Sequence, residues 1–405
     1  MQCEEHSFRP VILGGDINAY SVARSFYEGY KIKSYMLNQV GDSAIAGNSF
    51  CDTYSHPNMD QKDILLKHIA MLSERNKEKT LLIFACGDWY VRLLSENEAR
   101  LPANCINPYI PVDLMDRIVP KDLFYGLCEK LEIPYPETFV YDVKERTPLK
   151  EFTYPIAVKP SDSAQYHYAL FDGKKKAYII HSKEELLTML NHLHESSYKE
   201  KLLIQDYIPG GDDHMRVLTC YSDRQAKVRF ASFGHVLLEE HTPSAVGNPC
   251  CVISDENEEV VKQATKFLEH VGYTGISNFD LKYDERDGKY KFFEINTRQG
   301  RSNYYVTANG YNLMDYFVKD FITKEDMGYT VTKGNHLFTF VPPYVMKHYI
   351  DDPENMKKAM KLYREGKWSN PLFSKDEESL RMKVYARIAF FNQIIKFKRH
   401  GKRVR

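Results

Sequence analysis

Strand and helix signals alternate through the first 115 residues of the chain. A short apolar run at residues 81–85 is typical of a buried strand, and the spacing of apolar residues in 60–75 predicts an amphipathic helix. Strands that alternate with helices form a parallel sheet, because a parallel neighbour needs a helical crossover. The pattern therefore predicts an α/β domain over residues 1–115, with ligands bound beyond the carboxyl ends of its strands.

The loops that follow two of these strands are the expected places for a small substrate. They read Gly14-Gly15-Asp16 and Gly87-Asp88. The paired glycines alone are weak support, because turns from strand to helix favour glycine for conformational reasons. The chain has no G-x-G-x-x-G motif, which argues against a dinucleotide oxidoreductase.

The remaining chain mixes helices with antiparallel strands. Helices are predicted at 121–131, 182–194 and 258–271, and strands at 202–208, 214–221, 227–233 and 236–240. A segment from 331 onward ends in a helix at 379–398. These patterns predict a multidomain protein of α/β and α+β class, divided into residues 1–115, residues 116–330 with subdomains 116–200 and 201–330, and residues 331–405.

Composition and charge exclude several classes of protein. Lys and Arg together number 55, as do Asp and Glu, so no net charge favours nucleic acid or a membrane surface. The chain has no run of 18 apolar residues that would span a membrane, and its N-terminus lacks the pattern of a secretory signal. The eight cysteines include no C-x-x-C pair, which argues against a zinc site. We therefore expect a cytoplasmic protein that binds no nucleic acid.

Carboxylate and amide side chains converge in a predicted hairpin. Asp280 ends one apolar-rich segment, a turn follows at 284–288, and Glu294 lies in the next strand-like run. Glu294 and Asn296 are two positions apart, so the pleat of a strand points both to the same face. Two carboxylates and an amide oxygen are hard ligands that suit Mg²⁺ shared with phosphates. The alternative is a surface hairpin with scattered charges.

Arg298 and Arg301 follow this hairpin within one short loop. Cations placed there would neutralise a phosphoryl group during transfer, which is the main task of a protein in that chemistry. The alternative is a loop whose charges are simply solvated.

The order of these features resembles the ATP-grasp superfamily of ligases. Lys121 opens a helix, Lys159 precedes Pro160 at the end of a strand, and the segment 204–213 precedes the hairpin. The resemblance covers about residues 8–325. It implies an N-terminal parallel-sheet pre-ATP-grasp domain, a two-part ATP-grasp fold and a small C-terminal segment. It also implies a carboxylate–amine ligase that uses ATP.

The resemblance assigns ATP to residues along the second domain. Lys121 and Lys159 would contact its phosphates, although an exposed lysine is more often only a solubilising charge. The strand end that would recognise the adenine edge consists of Gln205, Asp206, Tyr207 and Ile208. Asp213 would hold the ribose hydroxyls, with Asp212 as a rival that spacing alone does not exclude.

The same resemblance assigns a metal ion and the reacting groups. Mg²⁺, or Mn²⁺ in its place, would be bound by Asp280, Glu294 and Asn296. Arg298 would neutralise an acyl-phosphate and the tetrahedral adduct that follows it. Arg301 and Ser302 would hold a substrate carboxylate or the phosphate in transfer.

Two segments narrow the likeness. Residues 296–302 resemble the carbamoyl-phosphate synthase and biotin carboxylase branch, and residues 12–26 resemble the D-aspartate ligases of Gram-positive cell-wall synthesis. The second likeness implies that the β-carboxylate of D-aspartate is joined to the lysine ε-amine of a peptidoglycan precursor. It also implies a homodimer, as relatives often form. The residues that would contact the amino acid are Gly14, Gly15, Asp16 and Asn18.

Two positions depart from the family pattern. The loop after Lys159, at residues 161–165, has no glycine, whereas many relatives have a glycine-rich loop that clamps the γ-phosphate. Asn278 occupies the place of an arginine found in dipeptide ligases. The second departure favours the carbamoyl-phosphate synthase branch and leaves more charge neutralisation to Arg298.

Several alternatives stay open on sequence alone. The enzyme could use another amino acid or bicarbonate, as carboxylases do, or the chain could be a nucleotide-binding regulator without catalysis. His235 and His241 flank an apolar strand and are expected to be structural. The C-terminal residues 396–405 hold six Lys and Arg and no acid. Such a tail could contact anionic lipid, but a frayed, solvated terminus is the stronger expectation.

Overall fold

A computed structural model describes residues 6–39, 45–161, 166, 174–175, 177–243 and 245–401. The chain divides into two compact units. Unit 1 comprises Met1–Leu114, Gly211–Phe279 and Asn296–Arg405, and unit 2 comprises Met115–Gly210 and Asp280–Ile295. The domain boundaries drawn from sequence stay a prediction. Most of the glycine-free loop after Lys159, residues 162–165, lies outside the described residues.

The strands of the described residues are β1 Phe8–Leu13, β2 Ser34–Asn38, β3 Cys51–Ser55, β4 Thr80–Ala85, β5 Cys105–Ile106, β6 Thr138–Asp142, β7 Ile156–Pro160, β8 Tyr178–Ile180, β9 Lys201–Asp206, β10 Met215–Ser222, β11 Val228–Glu239, β12 Pro249–Asp255, β13 Gly275–Asp284, β14 Lys289–Asn296, β15 Thr330–Val331, β16 Leu337–Thr339 and β17 Trp368–Ser369.

The helices are α1 Ile17–Tyr30, α2 Lys62–Arg75, α3 Asp88–Glu96, α4 Val112–Ile118, α5 Lys121–Lys130, α6 Lys183–Glu195, α7 Glu258–Val271, α8 Tyr304–Ala308, α9 Leu313–Phe317, α10 Pro343–Tyr349, α11 Pro353–Arg364 and α12 Leu380–His400. Short 3₁₀ turns occur at Glu98–Arg100 and Asp212–His214, and a π-helical segment at Val318–Thr323. Among the described residues, no helix is both long enough and apolar enough to cross a membrane.

Unit 1 contains the predicted parallel sheet, with strand order β3-β2-β1-β4-β5. Each pair of neighbouring strands runs parallel. The central strands β1 and β4 are buried along most of their length, as strands covered on both faces must be. Asp16 begins α1 by capping it, since its Oδ1 accepts hydrogen bonds from the backbone N of Asn18 and Ala19 at 3.1 and 3.2 Å.

Unit 1 also contains a largely antiparallel sheet. Its strands follow the order β13-β10-β11-β12-β16-β17, with β15 beside β11, and β13 contributes residues 275–279 to this unit. The pairs β10–β11, β11–β12 and β12–β16 are antiparallel. β15 runs parallel to β11, and β17 runs parallel to β16. The C-terminal residues from 331 therefore contribute strands to this sheet.

The prediction of two separate strands at 227–233 and 236–240 is wrong, because one continuous strand, β11, replaces them. β11 pairs with β10 on one side and with β12 on the other. Gly234 continues the strand between these neighbours. A Cβ atom at this position would lie 2.8 Å from Val252 Cγ1 and 2.9 Å from Val217 Cγ2. Glycine is needed here because side chains approach closely, and no turn occurs.

Unit 2 is built on a four-stranded antiparallel sheet of order β6-β9-β7-β8. α6 contributes Leu186 and Leu190 to a buried cluster that includes Ile156 and Ile204 of the sheet. Ser182 caps this helix, as its sequence predicts, since its Oγ accepts a hydrogen bond from the backbone N of residue 185 at 3.2 Å.

The strand predicted at 202–208 ends early, at Asp206, so Tyr207 and Ile208 lie beyond it. The two neighbouring strands, β6 and β7, explain why β9 ends at this residue. β6 begins opposite Gln205 and β7 begins opposite Asp206, and prolines stand shortly before both neighbours, at positions 136 and 155. Proline cannot donate a backbone hydrogen bond, so neither neighbour extends the ladder.

The predicted hairpin is confirmed in unit 2 by β14 and the second half of β13. The turn is closed by a hydrogen bond from the Gly288 N to the Asp284 carbonyl oxygen at 2.9 Å. Gly288 has φ +69°, a backbone conformation that favours glycine.

The C-terminal helix α12 belongs to unit 1. The prediction of a frayed terminus is wrong for residues 396–400, because α12 continues to His400 and buries Phe397. The basic residues at 402, 403 and 405 lie outside the described residues. Large apolar side chains are exposed along another face of this helix: Leu380, Val384, Ile388, Phe391 and Ile395.

Glycine substitutions with opposite expected effects test this packing. G234A should lower the free energy of unfolding by about 1–3 kcal/mol, because the added methyl overpacks the sheet. G126A should raise it by about 0.5–1 kcal/mol, since Gly126 lies in α5 with open space around its Cβ position. Thermal unfolding of both variants beside the wild type measures the two shifts. A G234A protein as stable as G126A would contradict the packing described for β11.

Candidate active site

The arginine loop, which we define as residues 297–303, is held at the carboxyl edge of the parallel sheet in unit 1. Gln299 is fully buried, and its Nε2 donates to the Ala85 carbonyl oxygen at 3.2 Å, where β4 ends. Asn303 Nδ2 donates to Asn18 Oδ1 at 2.7 Å. These buried hydrogen bonds join the arginine loop to β4 and to α1, the elements whose loops are expected to receive the substrate.

Arg298 forms a two-pronged ion pair with Asp88, the first residue of α3. Its NH2 lies 2.9 Å from Oδ2 and its Nε lies 2.8 Å from Oδ1. Of these two contacts, the one from NH2 is a hydrogen bond, and it directs the guanidinium towards the start of α3. The Asp88 side chain is 69% exposed, so the pair orients the guanidinium more than it stabilises the fold. The sequence predicts a substrate loop at Gly87-Asp88, but it carries no signal for the pairing of Asp88 with Arg298.

The loops after β1 and β4 pack against each other. Gly14 has φ +132°, and a Cβ atom there would lie 3.1 Å from the Cys86 Cβ. Gly15 and Asp16 line a cavity of about 310 Å³ in unit 1. Asn18 is only 2% exposed and its side chain accepts from Asn303, so it holds the arginine loop. Substrate contacts by these four predicted residues stay a prediction.

Arg301 lines the same cavity, together with Glu240. The Arg301 NH1 lies 3.6 Å from Oε1 of Glu240, which follows β11 directly. Burial raises the pKa of Glu240, while the positive charges of Arg301 and Lys396 oppose that rise. Ser302 is 3% exposed, and its carbonyl oxygen accepts from the Tyr305 N at 2.9 Å. In the sequence, Glu240 has no functional signal and is predicted only as the end of a strand.

Asp213 lies in unit 1, in the 3₁₀ turn before β10. Its carbonyl oxygen accepts hydrogen bonds from Arg216 NH1 and from His235 Nε2, each at 2.7 Å. Its Oδ1 lies 2.9 Å from the His214 Nδ1. The backbone of this predicted ribose ligand is therefore fixed by side chains of two strands.

Asp212, the rival for the ribose, is engaged differently. Its Oδ2 accepts from His241 Nε2 at 2.7 Å and from the Glu239 N at 3.0 Å. That hydrogen bond with Asp212 raises the pKa of His241. His235 and His241 thus support the turn, as expected for structural histidines.

Lys121 and Glu294 form an ion pair in unit 2, between Nζ at the start of α5 and Oε2 in β14. Burial raises the pKa of Glu294, but the ammonium of Lys121, a hydrogen bond with Asp280 and the charge of Lys159 together hold it below its ordinary value. The hairpin therefore brings Asp280 beside Glu294, and Glu294 is ionised at neutral pH.

Lys159 lies near the same strand. Its Nζ is 5.0 Å from the ring centroid of Phe293, within the range of a cation–π contact. Phe293 also accepts a hydrogen bond at its carbonyl oxygen from the Tyr125 hydroxyl at 2.8 Å. Lys121, Lys159, Asp280 and Glu294 thus gather within unit 2, around the second half of the hairpin.

The predicted adenine-recognition segment is tied to the hairpin in unit 2. Gln205 is 1% exposed and its Nε2 donates to Thr138 Oγ1 at 2.9 Å. Asp206 pairs with Arg286 of the hairpin turn. Lys282 Nζ donates to the Ile208 carbonyl oxygen at 2.9 Å and lies 5.8 Å from the ring centroid of Tyr207.

The sequence did not predict Lys282 and Arg286 as partners of the segment 205–208. Lys282 stands two positions after Asp280, so strand alternation places both on the same face of β13. Hydrogen bonds to Asp284 and Asp206 raise the pKa of Arg286, which stays charged. Strand alternation could have indicated that Lys282 shares a face with Asp280. The Arg286–Asp206 pair joins residues 80 positions apart, so no sequence pattern could have predicted it.

The residues of the hairpin fit a divalent cation. Adjacent carboxyl groups of Asp280 and Glu294, of which Glu294 is ionised, are hard oxygen donors of the kind that Mg²⁺ or Mn²⁺ takes. Asn296, the third predicted ligand, ends β14 but belongs to unit 1, so its part in this site stays a prediction. No group of three His, Cys, Asp or Glu side chains that could hold a metal occurs among the described residues. The remaining ligands of such an ion would therefore be amide, phosphate or water oxygens.

Comparisons with known proteins agree with the fold. A family model described as the carbamoyl-phosphate synthase L chain, ATP binding domain, matches residues 121–319. The chain is 35% identical over 414 aligned positions to a D-aspartate ligase of Enterococcus faecium (strain Aus0004). This match covers 98% of the chain and 97% of that protein.

Solved structures share the architecture at much lower identity. An L-amino acid ligase from Bacillus licheniformis has a TM-score of 0.54 at 14% identity, covering 78% of this chain and 75% of that one. N5-carboxyaminoimidazole ribonucleotide synthetase from Thermus thermophilus has a TM-score of 0.57 at 15% identity, covering 81% and 82%. Identities this low show the fold alone. They confirm the predicted α/β and α+β multidomain class with a parallel-sheet N-terminal domain.

The hydrogen bond at Asp213 predicts a specific response to acid. Burial lowers the pKa of His235 to about 4, from an ordinary value near 6.5. Between these values the unfolded chain binds a proton that the folded protein does not, so stability falls as pH drops, by up to about 3 kcal/mol. H235Q keeps an amide donor for Asp213 but cannot titrate. Urea unfolding from pH 7 to pH 4 should show a shallower loss of stability for H235Q than for wild type. Parallel curves would contradict the burial of a neutral His235.

Proposed function

Because the chain belongs to the ATP-grasp carboxylate–amine ligases, in the branch of the D-aspartate ligases, we propose that it joins D-aspartate to a peptidoglycan precursor. The bond formed would link the aspartate β-carboxylate to the ε-amine of a lysine in the precursor. The observation that carries the proposal is the 35% identity to a D-aspartate ligase over 98% of the chain. A match of this extent includes the N-terminal loops and the C-terminal helix, which line the cavity of unit 1.

The reaction needs ATP because a carboxylate is a poor acyl donor. A carboxylate oxygen attacks the γ-phosphorus of ATP, the bond between that phosphorus and ADP breaks, and an acyl-phosphate forms. The amine then attacks the acyl carbon and loses a proton, and phosphate leaves as the amide forms. The protein contributes mainly orientation and charge stabilisation to both steps.

Residues of unit 2 would handle the nucleotide phosphates and the metal. Lys121 and Lys159 supply positive charge beside the hairpin, where their ammonium groups already act on Glu294. Asp280 and Glu294 would hold a divalent ion, which when bound neutralises phosphate charge. The amide of Asn296, in the part of β14 that belongs to unit 1, stays the predicted third ligand. The segment 205–208 would meet the adenine edge.

Residues of unit 1 would bind the substrate acid and the ribose of ATP. The pair with Asp88 orients the guanidinium of Arg298 before any substrate binds, so little reorganisation is needed when charge develops. Arg301 and Ser302 come from the same loop, which Gln299 and Asn303 hold in place. We assign the ribose to Asp213, whose backbone is fixed independently of that loop.

Four further expectations stay predictions. They concern the lysine-bearing acceptor, a homodimer, a cytoplasmic location and, as the alternative to a solvated terminus, contact of the basic tail 396–405 with a membrane surface. The exposed apolar side chains and the basic residues of α12 are compatible with that contact. A second copy of the chain could cover the same apolar side chains.

The identity of the acid is tested by phosphate release across D- and L-amino acids, with hydroxylamine replacing the acceptor amine. We expect D-aspartate to support the fastest release and to yield an aspartyl hydroxamate, because hydroxylamine attacks an acyl-phosphate. Bicarbonate without any amino acid should give no release above background. Preference for another amino acid, or release driven by bicarbonate alone, would contradict the proposed substrate.

The metal assignment is tested with E294Q, which keeps the shape of the side chain and removes its charge. The variant should lose at least about a hundredfold in acid-dependent ADP formation, since a metal ligand and the partner of Lys121 are lost together. E285Q removes a carboxylate from the turn of the same hairpin and serves as the matched control. Thermal unfolding confirms that both variants fold. Turnover of E294Q close to that of E285Q would remove Glu294 from the metal site.

A further inference from the structure

The cavity of unit 1 has the size of a small-molecule site. Its volume is about 310 Å³, at the lower end of the usual range for ligand pockets, roughly 300–1,000 Å³. Loop residues after β1, Glu240 after β11, Arg301 and one side of α12 form its walls. A space of this size suits a free amino acid better than a peptidoglycan precursor.

A buried acid stands in this cavity without a close partner. Glu240 is 3% exposed, and its nearest cation, Arg301 NH1, lies 3.6 Å away, beyond hydrogen-bond distance. Within the described residues, no hydrogen bond reaches its carboxylate. Burying a carboxylate with so little compensation is costly. A cationic hydrogen-bond donor on a ligand would remove that cost.

Two residues that line the same cavity, Arg301 and Asn370, each carry a buried donor without a partner. Asn370 is 1% exposed, and its Oδ1 accepts from the Leu372 N at 2.9 Å. This bond leaves Nδ2 as the free end of the amide, and the described residues offer it no acceptor. The buried Nε of Arg301 likewise has no hydrogen-bond partner among the described residues. A ligand or water bound in the cavity would give these donors a partner.

An acid and donors in one cavity favour a zwitterionic ligand over a simple ion. An inorganic anion would satisfy Arg301 and Asn370 but would be repelled by Glu240. A simple cation would pair with Glu240 and leave both donors unpaired. An α-amino acid satisfies all three, because its ammonium and carboxylate are held at a fixed short separation. Lys396 of α12 adds a further positive charge, which suits an acid with a second carboxylate.

We infer that this cavity is the amino acid subsite, that Glu240 binds the α-ammonium of the substrate, and that Arg301 and Asn370 bind a carboxylate. The inference rests on the proposed function, which it extends to residues outside the arginine loop. It also gives the C-terminal helix a role, since Gln393 and Lys396 of α12 close one wall.

The position of α12 at this wall is secured from both sides. Glu377, just before the helix, is 1% exposed and accepts hydrogen bonds from Tyr20 of α1 at 2.9 Å and from the Ser49 N at 3.0 Å. On the helix itself, Phe390 and Phe397 are buried. These contacts hold the start of α12 against α1 and its far end in the interior of unit 1.

The test removes each end of the Glu240–ammonium contact separately. Wild type, E240Q and the control E239Q are assayed for ADP formation with D-aspartate and with succinate, which lacks only the ammonium. Wild type and E239Q should prefer aspartate by roughly 10- to 100-fold in kcat/KM, the range of a charged hydrogen bond. E240Q should lose most of this preference, because either change removes the same interaction.

A second variant covers the carboxylate end and the case in which E240Q does not fold. N370A should raise KM for aspartate and for succinate by similar factors while the preference between them is kept. Calorimetric titration of D-aspartate in the absence of ATP provides a readout that does not depend on turnover. Thermal unfolding reports whether each variant is folded.

The outcomes separate the two claims. If wild type neither binds nor uses any amino acid, the proposed function fails and this inference fails with it. If wild type uses aspartate but E240Q keeps the full preference over succinate, only the assignment of Glu240 fails. Unchanged KM values in N370A would likewise remove Asn370 from the subsite.

Discussion

The buried hydrogen bonds of Gln299 and Asn303 are the constraint on which the active-site geometry of unit 1 depends. They fasten the arginine loop to the ends of β4 and α1, where a parallel sheet presents its ligand-binding edge. Both amides are almost fully buried, so breaking either bond would leave polar atoms without water. Arg298 and Arg301 are long and flexible side chains. Their usefulness in charge stabilisation comes from the rigidity of the loop that carries them.

Charge compensation organises unit 2 in a comparable way. Glu294 and Asp280 are neighbours across the hairpin, and the ammonium groups of Lys121 and Lys159 keep Glu294 ionised. Ion pairs in such a site are weak evidence for stability, because desolvation offsets much of their attraction. They are better understood as preparation for a metal ion and phosphates, whose charges would replace the internal ones. In the absence of ligand, the two lysines thus keep the Glu294 carboxylate in the ionised form that a metal ion binds.

The periodic and local features could be predicted from the sequence, and the contacts between distant segments could not. Alternation at Glu294 and Asn296 and the turn that follows Asp280 predicted the hairpin, because both depend on near neighbours in the chain. The ion pair of Arg298 joins residues 210 positions apart and has no periodic signal. Glu240 reads as the polar end of a strand until its surroundings in the fold are known.

Element ends show the same division between local and distant causes. β9 stops at Asp206 because its neighbouring strands begin there, and α12 continues past residue 396 because Phe397 packs against the rings of His241 and Tyr349. Neither cause is visible within the segment that it affects. Helix caps such as Ser182 were predictable because the cap and its partner lie within one turn.

The central claim is that the enzyme activates a carboxylate by phosphorylation, and one isotope measurement tests it most directly. D-aspartate labelled with oxygen-18 in its β-carboxyl group is incubated with ATP, Mg²⁺ and an acceptor amine, and the released phosphate is analysed by mass spectrometry. An acyl-phosphate intermediate transfers one labelled oxygen to each phosphate formed. Product amide accompanied by unlabelled phosphate would contradict the account.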